Sequence, residues 1–176
     1  MKPATLAIGA AILATFAVLP AHAQKSKDTF RVALHQPLRQ IDTFYNPNPE
    51  SNLMDRAVMD TLLSFDVSAR ALRPQLAESW RMIDGRTVEL KLHRNVKFHN
   101  GAPFDADDVI YTYSFATDPK STFLFRDSRF GHVESFEKLD QYTVRVRAKS
   151  ARAPFLTRLV QAPPILPSKV HAKLEN

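Results

Sequence analysis

Apolar residues in this chain change their period several times, and each change marks an element. Val88, Leu90 and Leu92 alternate with Glu89, Lys91 and His93, the period-two pattern of a strand with one buried face. Tyr142, Val144, Val146 and Ala148 share one parity against Arg145, Arg147 and Lys149. That predicts a second half-buried antiparallel strand, with a basic outer face. Phe30, Val32 and Leu34 alternate with Arg31, Ala33 and His35, predicting an opening strand. Elsewhere the period is helical. Leu53, Met54, Ala57, Val58 and Leu62 recur behind Ser51 and Asn52, so a helix capped by one of those two is expected to end near Leu63, with a short strand over 64–67 after it. Val109, Ile110 and Tyr113 begin another helical face, expected to fade near Thr117-Asp118-Pro119.

Turn chemistry joins these elements. Asp84-Gly85 stands before the Val88 strand, and an Asp-Gly pair suits the positive φ that both central residues of a type I′ hairpin turn require. Asn100-Gly101 repeats the device. Asp105 is placed to accept hydrogen bonds from the first free amides of the helix behind it, with Asp107 and Asp108 at its positive end. Asn46-Pro-Asn-Pro49 reads as a turn cluster, and 121–131 as a loop rich in Phe and Arg. Pro154, Pro163, Pro164 and Pro167 restrict the last stretch to a short helix around Phe155 to Leu159.

The order of these pieces resembles a known family. Leu76-Ala-Glu-Ser-Trp80, Asp84-Gly85, Val96-Lys-Phe-His-Asn-Gly-Ala-Pro-Phe104 and Asp105-Ala-Asp-Asp-Val109 are similar to the signature of the extracellular solute-binding proteins, family 5, which serve peptide- and nickel-type ABC importers. Asn100, Asp105 and Asp107 stand where Asp, Thr and Glu are commoner, and each swap keeps the turn or cap chemistry. The resemblance runs from about Thr29 to the end. It takes in Ile41-Asp42-Thr43, Asp60 to Asp66, Leu139 to Val146, Ala153-Pro-Phe-Leu156 and Ala162-Pro-Pro-Ile-Leu-Pro167. It implies an α/β fold of the type II periplasmic binding protein kind, with an α+β subdomain of mixed and antiparallel strands and few helices. Family members are considerably longer and close two lobes on a ligand, so the chain is expected to supply the N-terminal lobe only.

The ends refine that picture. Lys2, an apolar run from Leu6 to Val18 and Pro20-Ala-His-Ala23 read as a secretory signal peptide. The run is too short to span a bilayer comfortably, and Ala21 and Ala23 form the small-residue pattern cut by signal peptidase. Expected segments are 1–23 signal peptide, 24–45 first strand segment of the larger lobe, 46–170 β-rich subdomain and 171–176 a truncated end. The 153 residues left after cleavage are enough for one core. The chain has no cysteine, which excludes disulfides, thiolate metal sites and a lipid-modified N-terminal Cys. A periplasmic protein is therefore expected.

Chemistry is mostly excluded. Six histidines, at 22, 35, 93, 99, 132 and 171, never pair at i,i+2 or i,i+4, so no metal site is expected. Four glycines leave no phosphate-cradling loop, and no Gly-x-Ser-x-Gly elbow occurs. Neither an enzyme nor a cofactor is expected. The net charge of +6 drops by one with Lys2, and no aromatic-interleaved nucleic-acid module is present. The basic group Arg145, Arg147, Lys149 and Arg152 reads as a solvated strand face, with anionic solutes or lipid headgroups as the sharper alternative. Phe123, Phe125 and Phe130 with Arg126 and Arg129 either line a pocket or pin the long loop to the sheet. Trp80 is expected in a core.

The resemblance implies a periplasmic substrate-binding component of a peptide-type ABC importer, a monomer that delivers a peptide or other small solute to an inner-membrane permease. By that resemblance the ligand lies just after the first strand, at His35, Gln36, Pro37, Leu38 and Tyr45. A truncated remnant or interaction module that binds no ligand is the alternative, because a single lobe offers one wall only.

Overall fold

The computed structural model describes residues 31–38, 41, 48–121, 123, 125–151, 155–160 and 162–174. The chain divides into two units, Met1–Ala33 and Leu34–Asn176. In the first only 31–33 are described, and they adopt no helix or strand. The opening strand read at 30–34 is therefore absent from the described residues. Alternation alone does not make a strand: a ladder needs a partner, and none of the described strands pairs there.

Leu34–Asn176 is built mainly on antiparallel strands. Helix α1 (Pro49–Val58) starts at Asn48, whose side chain accepts from the Ser51 amide at 2.7 Å, with Pro49 in the first turn. The cap thus lies three residues before Ser51, and the helix ends at Val58 instead of Leu63. Residues 61 and 62 are taken by tertiary pairing: the amides of Leu76 and Ala77 donate to the carbonyls of Thr61 and Leu62 at 3.1 and 2.9 Å. β1 (Leu63–Asp66) and β2 (Ala71–Pro74) then form a two-stranded sheet.

β3 (Ala77–Asp84), β4 (Thr87–Leu92), β5 (Val133–Asp140) and β6 (Thr143–Ala148) form an antiparallel sheet in the order β3-β4-β6-β5. Helix α2 (Ala106–Thr117) connects the two hairpins and packs on β5 and β6. One face of the sheet contributes Val88, Leu90, Leu92, Val144, Val146 and Ala148 to the core, and α2 contributes Ala106, Val109, Tyr113 and Ala116. Burial of the alternating strand residues matches the period-two reading.

The turns show which sequence signals were backbone and which were side chain. Gly101 has φ +82° and closes a small hairpin in which the Phe98 amide donates to the Ala102 carbonyl at 2.9 Å. Only glycine takes that φ at little cost. Gly85 is not in the left-handed region, so the β3–β4 turn is not type I′. Instead the Asp84 carboxylate accepts from the Arg86 amide at 2.8 Å and the Thr87 hydroxyl at 3.0 Å, a side-chain-built turn. A Cβ on Gly85 would sit 3.2 Å from that of Ala151, so close approach explains this glycine.

Asp105 caps α2 as expected, accepting from the Asp107 amide at 2.9 Å, and Asp108 completes a capping box by accepting from the Asp105 amide at 3.0 Å. Asp108 also does something the sequence did not announce. Its other oxygen accepts from both the amide and the hydroxyl of Ser168, at 2.8 and 2.7 Å, where α4 (Ser168–Leu174) begins. Thr112 accepts from the Leu166 amide at 2.9 Å. The helix α3 (Phe155–Leu159) is where the prolines left room for it. α4 runs through residue 170, where a segment boundary was expected, because Asp108 and the His171–Tyr111 contact (2.8 Å) fasten it to α2.

Candidate functional site

A hollow of about 460 Å³ opens beside α1. One face of α1 supplies Asn52, Asp55 and Arg56, which the helical i, i+3, i+4 spacing puts together. Thr61, Ser64, Phe65 and Gln75 form another side, and Arg129 and Pro164 a third. Thr61 Oγ1 lies 2.7 Å from the Leu63 carbonyl and 3.0 Å from Gln75 Oε1, and the Gln75 amide donates to Asp60. These bonds hold the polar wall in place from strand backbone.

Arg129 comes from a five-residue π-helical turn, Arg126–Phe130. Its amide donates to the Phe125 carbonyl at 2.9 Å, and its guanidinium lies 4.7 Å from the Phe125 ring centre and 6.0 Å from that of Phe123. Stacking on the ring face orients the planar fork and offsets part of its lost hydration. Burial pulls the Arg129 pKa below the usual arginine range; Asp55 opposes that shift and Arg56 adds to it. Phe123 and Phe130 are buried, packed with Tyr113 and Phe136. So the two readings of the Phe- and Arg-rich loop divide between its residues: the phenylalanines pin it, and Arg129 lines a pocket. Arg126 turns instead to Asp127 and the Asp118 carbonyl.

A second, apolar hollow of about 260 Å³ is lined by Val58, Leu76, Val96, Phe98, Phe104 and Ile165, with Lys97 and His99 beside them. Phe98 and Phe104 come from the signature run, which therefore shapes a structural hairpin more than a polar site.

The sequence candidates fall elsewhere. His35, Gln36 and Pro37 are exposed and Leu38 is half-buried, in a stretch without helix or strand, and none of them lines either hollow. Tyr45, Ala21, Ala23 and Arg152 lie outside the described residues. The outer face of β6 proves not to be a basic patch. Arg145 meets Glu89 at 2.7 Å and Glu137 at 3.2 Å, Arg147 meets Glu134 at 3.3 Å, and Arg81 meets Glu89 at 2.8 Å. In the ladder Glu89 stands directly opposite both Arg81 and Arg145, Glu137 stands opposite Arg145, and Glu134 is next to Ser135, the ladder partner of Arg147, which single-strand periodicity could not reveal. Lys149 donates to the Gly131 carbonyl. Trp80 is half-buried and packs on the core. Among the described residues no three His, Asp or Glu side chains gather as a metal set.

Comparison with known proteins settles the family. Residues 71–176 match the family described as bacterial extracellular solute-binding proteins, family 5 middle. The chain belongs to this family. It is 34% identical over 141 residues to the peptide transport periplasmic protein SapA of Salmonella typhimurium, covering 68% of this chain and 26% of that one. It is 30% identical over 125 residues to heme-binding protein A of Haemophilus influenzae, covering 61% and 23%. The structure of the oligopeptide-binding protein AppA of Bacillus subtilis, in complex with a nonapeptide, superposes with a TM-score of 0.67 at 26% identity over 76% of this chain and 26% of that chain. The fold is that of type II periplasmic binding proteins, a mixed α/β arrangement with antiparallel sheets and few helices. The chain spans about a quarter of the length of these relatives.

Proposed function

We propose that this chain is the N-terminal portion of a periplasmic solute-binding protein, non-enzymatic and monomeric, that carries a peptide or other small solute to an inner-membrane ABC permease. The family match over residues 71–176, laid on a fold shared with a nonapeptide-binding protein, carries this reading. The names of the relatives support it, since SapA is a peptide transport protein and the others are binding proteins. In the full protein the single wall described here would meet a second, and enclosure by two walls supplies the desolvation that small-solute binding needs. His35, Gln36, Pro37, Leu38 and Tyr45 are proposed to border the cleft, with export following cleavage after Ala23.

The test is calorimetric titration of the complete mature protein with dipeptides, a nonapeptide and heme. Saturable binding of any of them supports solute carriage. No heat and no thermal stabilisation with the whole panel would overturn it. Mass spectrometry of the exported protein checks the expected start at Gln24.

A further inference from the structure

The apolar hollow beside the signature hairpin is one end of a longer surface. Val58 and Phe98 border it, and Phe98 and Pro167 carry it on into a smaller recess that reaches Val170. Leu174 follows Val170 by four residues on α4, which places the two on one face of the helix. That face lies open. Val58 is 42% exposed, Val170 39% and Leu174 77%, and α4 buries none of its residues. The fastened side of α4 is a different one, which meets α2 through Ser168 on Asp108 and His171 on Tyr111.

An apolar strip of this kind, open to water along its length, marks a surface that something else covers. Its margins state the chemistry of the cover. Lys97 and His99 stand beside the hollow, Lys169 beside the recess and Lys173 next to Leu174. Lys138 pairs with Asp107, whereas among the described residues no carboxylate lies within ion-pair distance of Lys97, Lys169 or Lys173. The acids along the strip are already engaged: Asp60 accepts from the Gln75 amide, Asp105 from the Asp107 amide and Asp108 from Ser168. An apolar centre with a charged rim is the anatomy of a protein interface, and here the rim is basic. Length argues for which protein. This chain spans about a quarter of the length of its relatives, so a protein of that size brings the other three quarters to pack against it.

We propose that the strip from the signature hairpin along α4 is the seat of a later segment of the same protein, an apolar segment flanked by acidic side chains that meet Lys97, Lys169 and Lys173. The assignment rests on the reading of this chain as the N-terminal portion of a longer carrier, and it is independent of which solute is carried.

The experiment uses the complete mature protein. A carbodiimide joins a lysine to a carboxylate only where the two touch, and the joined peptides are mapped by mass spectrometry from the monomer band. Links from Lys97, Lys169 or Lys173 to an Asp or Glu beyond residue 176 are the expected result. Links confined to acids within 24–176, links found only in a dimer band, or no links from these lysines overturn the proposal. The apolar part is read separately. This chain has no cysteine of its own, so Val170→Cys and Val67→Cys each place a thiol at a known position. Val67, 79% exposed in the β1–β2 turn, borders neither the hollow nor the recess and serves as the reference. The thiol at position 170 should react with N-ethylmaleimide at least about tenfold more slowly than the thiol at position 67, because access controls thiol reaction. Equal rates overturn the seat. An intact mass no larger than that of residues 24–176 would remove the longer carrier itself. A full-length carrier that binds its solute but fails both tests keeps its function and loses this seat.

Discussion

Two regions of this molecule handle charge in opposite ways. On the outer face of the four-stranded sheet, Arg81, Glu89, Arg145, Glu137, Arg147 and Glu134 alternate in sign across neighbouring strands, each within reach of an opposite. In the hollow beside α1, Arg129 is half-buried and stacked on Phe125, with Asp55 as an opposite charge that it feels and Arg56 as a like one. The sheet face could be lost to water with little consequence, since exposed pairs contribute little. The hollow keeps a half-buried charge against an aromatic ring. Charge on the sheet face is balanced pair by pair in solvent, whereas the charge in the recess is set by an aromatic ring and a buried acid.

The contrast can be sharpened within a single strand. Leu90 is fully buried on the inner side of β4, next to Glu89 on the outer side. Leu90→Ala should destabilise by about 3 kcal/mol through lost burial and the cavity left behind, read by chemical denaturation. A loss below about 1 kcal/mol would mean that the inner face is not the core. Asp108→Ala tests a carboxylate that is buried instead of exposed. It removes the acceptor for the amides of Asp105 and Ser168 and should cost about 2 kcal/mol, with hydrogen exchange accelerated at both helix starts. Arg129→Met should change stability by no more than about 1 kcal/mol, because an apolar chain replaces a half-buried charge and the lost attraction to Asp55 is offset by the lost desolvation cost. A large loss would show that Arg129 is structural.

The smallest effect belongs to Glu89→Gln. Hydrogen bonds from Arg145 and then Arg81 hold the Glu89 carboxyl below its ordinary value of 4.5. A depressed folded-state value means that the contribution is present above the ordinary value and is lost as pH falls through the folded one. The wild-type advantage over Glu89→Gln should therefore be a shift of under about 2 °C at neutral pH. It should shrink with salt and vanish as the pH drops below 4.5 through the lowered value. An advantage that persists in acid would break the account of this face.

The sequence announced most of what local chemistry decides. The strands around Val88 and Val144, the Asp105 cap and the Asn100-Gly101 turn depend on neighbours a few residues away. The end of α1 did not, because Thr61 and Leu62 are claimed by Leu76 and Ala77 across the chain. The start of α1 was legible in Asn48-Pro49, a cap followed by proline in the first turn, but was read as part of a turn cluster. The hollow was half legible. Arg129 stood out in its Phe-rich loop, yet its meeting with Asn52 and Asp55 joins segments more than seventy residues apart, which no spacing rule reaches. The Asp84-Gly85 pair gave the right turn for the wrong reason, with Asp84 supplying side-chain bonds and Gly85 making room for Ala151.

The bond between Asp108 and Ser168 closes a ring of chain, sixty residues in sequence separation. The entropy of closing such a ring grows only with the logarithm of its length, so doubling it would add only about 0.6 kcal/mol. The stretch between β6 and α4 is therefore free, thermodynamically, to lengthen by insertion while the clasp stays where it is. Variation in size among such proteins is expected to accumulate inside that ring, with Asp108 and Ser168 acting as fixed posts on either side.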